Sequence, residues 1–192
     1  MLYIVRHGQT ELNHKNLLQG RSNKGLNEAG IQQAENIRKL LKQIHPTWKY
    51  VFSSPLLRAV QTAQIIAPDT PITTDERLLE MDYGPYEGAN LKNPPSELTV
   101  FFKDFVHNPA PSGMETLEHV VERAGIFLEE MKGLDGDILI STHAILMKGI
   151  LEYLTPESHG KYWSQYLGNC AVYWAEMEKD EIKVPLELMR GF

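Results

Sequence analysis

The chain has 192 residues, 42% of them hydrophobic and 23% charged, and a formal net charge of −6. That size and balance fit one soluble domain with its own core, and the acidic surplus argues against a nucleic-acid partner. A single cysteine, Cys170, excludes an intramolecular disulfide framework and a cysteine-cluster metal site.

The N-terminal residues go straight into LYIV (residues 2–5), with no basic leader and no long apolar segment anywhere. A cytoplasmic protein with no membrane partner is therefore expected. LYIV is a short unbroken apolar run and reads as a strand covered on both faces. Arg6-His7-Gly8 follows it at once. Residues 27–44 place Ile31, Ala34, Ile37, Leu41 and Ile44 on one helical face. Asn27 is the expected N-cap of this helix, with Leu26 and Ile31 stapled across it. YVFSS (residues 50–54) is a second strand. A helix over 55–67 comes next, with Pro55 in its first turn and Arg58 close behind. Residues 89–112 are rich in Pro and Asn and read as a surface excursion around the aromatic, helix-like VFFKDFV.

The spacing of Leu117, Val120, Val121, Ala124, Phe127, Leu128 and Met131 predicts a helix over 114–132, closed by Gly133. DILIST is a third strand. It ends in His143, and a helix over 144–154 follows. AVYWAEMEK and EIKVPLEL read as two last strands around a turn at Lys179-Asp180, with Cys170 as a buried strand residue. Strands alternating with helices give an α/β fold with a mostly parallel sheet. No repeat or linker divides the chain, so one domain is expected over 1–192.

In open α/β sheets, ligands bind outside the carboxyl ends of the strands. Three predicted strands end in chemistry-bearing residues: Arg6 and His7, then Arg58, then His143. If these strands are neighbours, two arginines and two histidines meet at one sheet edge. A guanidinium matches phosphate with a planar bidentate fork. A neutral imidazole can attack phosphorus, and a protonated one can stabilise charge. Singly, each histidine reads as a hydrogen-bonded core residue and Arg58 as a surface residue. Jointly they describe an anion pocket with a nucleophile.

Five segments then stand in a familiar order: RHGQTELN, LQGRSNKGLNEAGIQQA, SSPLLRAVQTA, ERLLEMDYGPYEG and STHAILMKGIL. On these, the chain resembles the histidine phosphatase superfamily, in its phosphoglycerate mutase-like branch. The resemblance implies a three-layer α/β/α sandwich. It implies His7 as the nucleophile that becomes a phosphohistidine, with Arg6, Arg58 and protonated His143 completing the phosphate pocket. Glu80 would be the general acid and then the base for water. Thr10, Asn13, Gln19, Gly20 and Ala144 would line the phosphate and substrate, with Ala144 standing where the family often has Gly. Glu76 and Glu87 receive no chemical role.

The resemblance implies no cofactor and no metal, a small phosphorylated metabolite as partner, and a monomer or homodimer. The short stretch from Glu80 to His143 and the short tail favour a phosphatase acting on a small phosphomonoester. The alternatives are mutase-type phosphoryl transfer and a catalytically inactive phosphate-binding module.

Overall fold

The structure, a computed structural model, describes residues 1–44, 46–179 and 181–192. The chain forms β1 (Leu2–Arg6), α1 (Glu11–His14), α2 (Glu28–Ile44), β2 (Trp48–Ser53), α3 (Leu57–Ile66) and β3 (Ile72–Thr74). It continues through α4 (Ser96–Lys103), α5 (Leu117–Met131), β4 (Asp137–Thr142) and α6 (Ala144–Leu154). It ends in β5 (Val172–Ala175), β6 (Met177–Glu178), β7 (Glu181–Ile182) and β8 (Leu186–Met189).

Six strands form one sheet in the order β3-β2-β4-β1-β5-β8. The pairs β3–β2, β2–β4 and β4–β1 are parallel, and β5 is antiparallel to both its neighbours, so β5 alone runs against the rest. The fold is thus the expected α/β class with helices on both faces. Side chains alternate across β1 and β4 as the pleat requires. Leu2, Ile4, Ile138 and Ile140 pack with Phe127, Leu128, Leu146 and Ile150 from α5 and α6. Tyr3, Val5 and Leu139 pack with Ala34, Ile37, Leu41, Ala63 and Ile66 from α2 and α3. Apolar residues on both faces explain why these strands read as continuous runs. Among the described residues, no helix is long and apolar enough to cross a membrane.

Several expectations shift. Ile31 and Ile44 do not join the buried face of α2; they are 41% and 45% exposed. The buried positions are Gly30, Ala34, Ile37 and Leu41. The helix is rotated so that Gly30 meets the loop after β1: a Cβ on Gly30 would lie 2.1 Å from the Gln9 carbonyl oxygen. Asn27 does cap α2, its Oδ1 accepting from the Gly30 N–H at 2.8 Å. Pro55 stands just outside α3, whose N-cap is Leu56. Helix α5 begins at Leu117, not residue 114, because Thr116 caps it by accepting from the His119 N–H.

The two last strands each break in two, at Glu176 and across residues 183–185, and the inner pieces pair as the separate β6–β7 ribbon. Asp180, placed by the sequence in the turn, lies outside the described residues. Cys170 is buried but precedes β5 in a left-handed conformation with φ of 58°. The three-residue strand β3 has too little pattern to stand out in the sequence.

The Gly30 contact sets up a test. Alanine in a helix is favoured over glycine by about 1 kcal/mol. Against rigid backbone at 2.1 Å the clash should win, so Gly30→Ala should lower stability by about 1–3 kcal/mol. Ile31→Ala, on the exposed side, should stay within about 0.5 kcal/mol of the parent. Urea midpoints for the two variants check this.

Candidate active site

The strand order places the predicted cluster. β1, β4 and β2 are adjacent and parallel, so their carboxyl ends share one edge. The ladder extends into the loops: the His7 N–H donates to the Thr142 carbonyl at 2.9 Å, and the Ser54 N–H to the Ser141 carbonyl at 3.0 Å. His7 and His143 are thereby brought face to edge, with ring centroids 5.2 Å apart.

His7 is buried, and its Nδ1 donates to the Gly8 carbonyl at 2.7 Å. That fixes the tautomer: Nε2 keeps its lone pair, and Arg58 Nε donates to it at 3.2 Å. Burial, then the charges of Arg58 and Arg6, push the ring's proton affinity well below its ordinary value. Gly8 keeps an ordinary φ; its need is space, since a Cβ there would lie 2.4 Å from the Gly30 carbonyl oxygen.

Arg58 is fully buried. Its Nη1 and Nη2 donate to the Ser22 and Gly20 carbonyls, each at 2.7 Å. Burial pulls its pKa down to about 10, so it remains charged at neutral pH. Arg6 donates through Nη1 to the Leu167 carbonyl, while its buried Nε has no partner.

His143 caps α6 and is buried. Its Nε2 lies 2.7 Å from Ser54 Oγ, and its Nδ1 has no partner. Ser54 Oγ also accepts from the Leu56 N–H at 3.3 Å. Burial first, then Arg58 and His7, drive the proton affinity of His143 well down.

Glu80 is buried against the start of α6. Its Oε1 accepts from the N–H groups of Met81 at 2.9 Å and of Ile145 and Leu146 at 3.1 Å. Its Oε2 has one longer contact, 3.2 Å from the Ile145 N–H. A carboxylate at a helix N-terminus is a stable arrangement.

Of the other predicted residues, Thr10 Oγ1 donates to Gln19 Oε1 at 2.6 Å, and buried Gln19 Nε2 has no partner. Asn13 Oδ1 accepts from the Thr10 N–H at 3.1 Å, leaving Nδ2 as its donor. Gly20 is not free to meet a substrate through its backbone: its N–H goes to Glu87 and its carbonyl to Arg58. Ala144 opens α6, but the N–H groups engaged there are those of Ile145 and Leu146.

Sequence reasoning missed several members. Glu87 was given no role, yet its carboxylate accepts from the N–H groups of Gly20, Arg21 and Ser22 and so shapes the loop that holds Arg58. Asn169 donates to the His7 carbonyl at 3.2 Å and to Asn13 Oδ1 at 3.3 Å. Its signal was the strand direction: the antiparallel β5 starts at the edge where β1 ends. Buried Arg123 donates to the Arg77 and Leu79 carbonyls at 2.7 Å and pairs with Glu115, which also accepts from the Asp82 N–H at 3.0 Å. That pair grips the chain on both sides of Glu80.

A fold with this strand order, and a buried pocket of two arginines, two histidines and a carboxylate at its edge, define an enzyme of the phosphatase and phosphoglycerate mutase-like class. The chain belongs to the histidine phosphatase superfamily (branch 1), whose model it matches over residues 2–187. It is 31% identical over 187 residues to a protein described as a candidate phosphoserine phosphatase in Hydrogenobacter thermophilus, covering 94% of this chain and 91% of that one. It is 42% identical over 138 residues to the fructose-2,6-bisphosphatase TIGAR of Xenopus tropicalis. That match covers 67% of this chain and 48% of the frog protein, so the chain spans about half the frog protein's length. The phosphoserine phosphatase of Entamoeba histolytica, solved with 3-phosphoglyceric acid, superposes with a TM-score of 0.81 at 25% identity, covering 97% and 94% of the two chains.

The buried neutral histidines have a consequence for stability. Both have native proton affinities below the unfolded value, near 6.5. Above that pH neither state holds the extra proton and the term vanishes. As pH falls below it, the unfolded chain binds protons that the native chain refuses. Stability should therefore drop on acidification, by up to about 1.4 kcal/mol per pH unit for each histidine. Denaturant unfolding at pH 8, 7, 6 and 5 should show this slope, and the His7→Gln/His143→Gln double variant should flatten it.

Proposed function

We propose that the protein is a metal-independent phosphatase that hydrolyses a small phosphomonoester through a phosphohistidine on His7. The observation that carries this reading is the fixed tautomer of His7. The Nδ1–H···O=C bond to Gly8 leaves Nε2 as a lone pair in a buried, cationic pocket. Arg6, Arg58 and His143 surround the phosphoryl group. Arg6 Nε, His143 Nδ1 and Gln19 Nε2 are buried polar atoms without partners, and an anion would satisfy them. His143 serves as a neutral donor, gaining a proton only if the bound dianion raises its basicity. Thr10 holds Gln19 in place, and Asn13 offers Nδ2 to the phosphate.

In the first step, His7 Nε2 attacks phosphorus and the phosphorus–oxygen ester bond breaks. The leaving oxygen takes a proton from Glu80, which enters this step as the carboxylic acid and leaves it as the carboxylate. In the second, water attacks the phosphohistidine, the nitrogen–phosphorus bond breaks, and Glu80 takes the water's proton. Oε2, with its single long contact, is the oxygen suited to this exchange. Among the described residues, no three His, Cys, Asp or Glu side chains converge to hold a metal. The relatives are described as phosphatases of phosphoserine and of fructose 2,6-bisphosphate, which supports small phosphorylated metabolites as substrates.

Two experiments test this. Brief mixing with a labelled ester and an alkaline quench should trap label on His7. His7→Ala should lose both label and turnover while keeping its circular dichroism spectrum, and chelator should leave the parent's turnover intact. Release of no phosphate, with 3-phosphoglycerate converted to its 2-isomer instead, would show a mutase.

The second experiment addresses the proton. A general acid contributes about 10²–10⁴ in rate, and most when the leaving group is poor. Glu80→Gln should cut kcat strongly for alkyl phosphates and far less for p-nitrophenyl phosphate, provided phosphoryl transfer limits the rate; burst kinetics establish that. Glu76→Gln, on an exposed side chain, should be mild for both ester types. A severe Glu76→Gln beside a mild Glu80→Gln would show that Glu80 is not the acid.

A further inference from the structure

Asn169 has no place among the groups that surround the phosphoryl site, yet it bonds to two of the segments that carry them. It is buried in the loop of residues 167–171 that leads into β5. That loop backs the pocket. Its Leu167 carbonyl accepts from Arg6 Nη1, and its Ala171 carbonyl accepts from the Arg6 N–H at 3.0 Å. Its Cys170 N–H donates to the His7 carbonyl at 3.2 Å. The loop is itself braced from outside. The Gly168 N–H donates to the Arg190 carbonyl and the Phe192 N–H to the Asn169 carbonyl, each at 2.9 Å.

Cys170 takes a left-handed conformation, φ 58°, which a residue with a Cβ adopts only at a cost. At this turn the Cys170 N–H and the Asn169 side chain come to the same His7 carbonyl. Asn169 Nδ2 lies 3.2 Å from that carbonyl and 3.3 Å from Asn13 Oδ1. A primary amide has two N–H bonds, and here each has one acceptor. The His7 carbonyl can only accept, so the nitrogen of Asn169 must face it, and the amide has one orientation.

Asn13 is fixed by the same reasoning. Its Oδ1 accepts from the Thr10 N–H at 3.1 Å and from Asn169. A carbonyl oxygen has two lone pairs, and both are then used. Thr10 Oγ1 also lies 3.1 Å from Oδ1, but its single proton goes to Gln19 at 2.6 Å. One donor on Oδ1 would let the amide plane swing about the Cβ–Cγ bond. Two donors from different segments hold it, and Nδ2 is left as the donor for phosphate. A hydrogen-bonded relay thus runs from the main chain of the nucleophile, through Asn169, to a phosphate donor on α1.

We infer that Asn169 is a positioning residue for phosphoryl transfer. It registers the Asn13 amide against His7, so that the donor and the attacking nitrogen meet one phosphoryl group in one geometry. A misplacement of about 1 Å can cost about 10²-fold in rate, so breaking the relay has a kinetic signature. This rests on the His7 pocket being the phosphoryl site, and the experiment separates the two.

The measurements are kcat/KM for p-nitrophenyl phosphate, which covers every step up to release of nitrophenol, and the inhibition constant of inorganic phosphate. Asn169→Asp keeps the shape and removes both N–H bonds. Asn169→Ala removes the side chain without adding charge, and it carries the test should the buried carboxylate prevent folding. Each should lower kcat/KM roughly tenfold or more and weaken inhibition by phosphate, and Asn13→Ala should do the same. The losses should not multiply: Asn169→Ala/Asn13→Ala should fall no more than about threefold below Asn13→Ala alone. A residue needed only for folding would instead lower the unfolding midpoint and add its full loss to that of Asn13→Ala. Circular dichroism is therefore recorded for every variant, and kinetics are run well below the lowest midpoint. Parental kcat/KM in the Asn169 variants, or losses that multiply in the double variant, overturns the inference and leaves the phosphatase reading standing. A parent that neither turns over p-nitrophenyl phosphate nor takes label on His7 overturns both.

Discussion

The arrangement depends on one buried charge, the guanidinium of Arg58. A lone cation in a protein interior is costly, and proteins retain one only when its donors are matched. Here the match is made by the carbonyls of Ser22 and Gly20 and by the lone pair of His7. Each partner is itself constrained. The carbonyls belong to a loop whose N–H groups are gathered by Glu87. The lone pair exists because the Gly8 carbonyl takes the proton on the other ring nitrogen. A carboxylate on one side and a carbonyl on the other thus set the position of the cation and the state of the imidazole together. Thr62 ties the assembly to α3, accepting from the Gly8 N–H and donating to the Arg58 carbonyl.

Glu80 is held by a different device. Its carboxylate sits at the start of α6, and the chain that bears it is gripped by Arg123 and Glu115. Both of those come from outside the sheet edge, Arg123 from the middle of α5 and Glu115 from just before it. The His7 side of the pocket hangs on β1, α3 and the loop near Gly20, while the Glu80 side hangs on α5 and α6. The two halves meet at the ends of β1 and β4, where the parallel ladder fixes their separation, and again where the Gly20 loop lies against the Met81 carbonyl.

What was legible in the sequence follows from this division. Local pattern revealed the strands β1, β2 and β4, because each is apolar on both faces, and it revealed the residues at their tips. Ordering those tips along one edge needed the family motifs, since no single segment states its neighbours. Contacts between distant segments left no local trace. Glu87 reads as an ordinary turn acid until the loop at Gly20 lies over it. Asn169 gains meaning only once β5 is known to run backwards. The face of α2 was misjudged because periodicity counts apolar side chains. The contact that rotates the helix is made by Gly30, which has none, so Ile31 was drawn inward in its place. Phosphate chemistry suggests a charged His143 once an anion is bound, and only the assembled pocket shows that burial, with Arg58 and His7 beside it, lowers its proton affinity before one arrives.

The resting pocket therefore stores an electrostatic imbalance. Two guanidinium groups share it with two neutral imidazoles, and its one carboxylate is turned to a helix N-terminus. Buried polar atoms on Arg6, His143 and Gln19 go unmatched. Such an arrangement lowers stability, and an α/β core packed on both faces of the sheet can carry that load. It also means that little has to reorganise as charge develops during phosphoryl transfer. In the proposed reaction the same relief is open to the ester and to the inorganic phosphate it yields, because both present the same oxygens to the same donors. The phosphate pocket therefore cannot by itself choose among esters. The choice falls to the part of the substrate beyond the leaving oxygen.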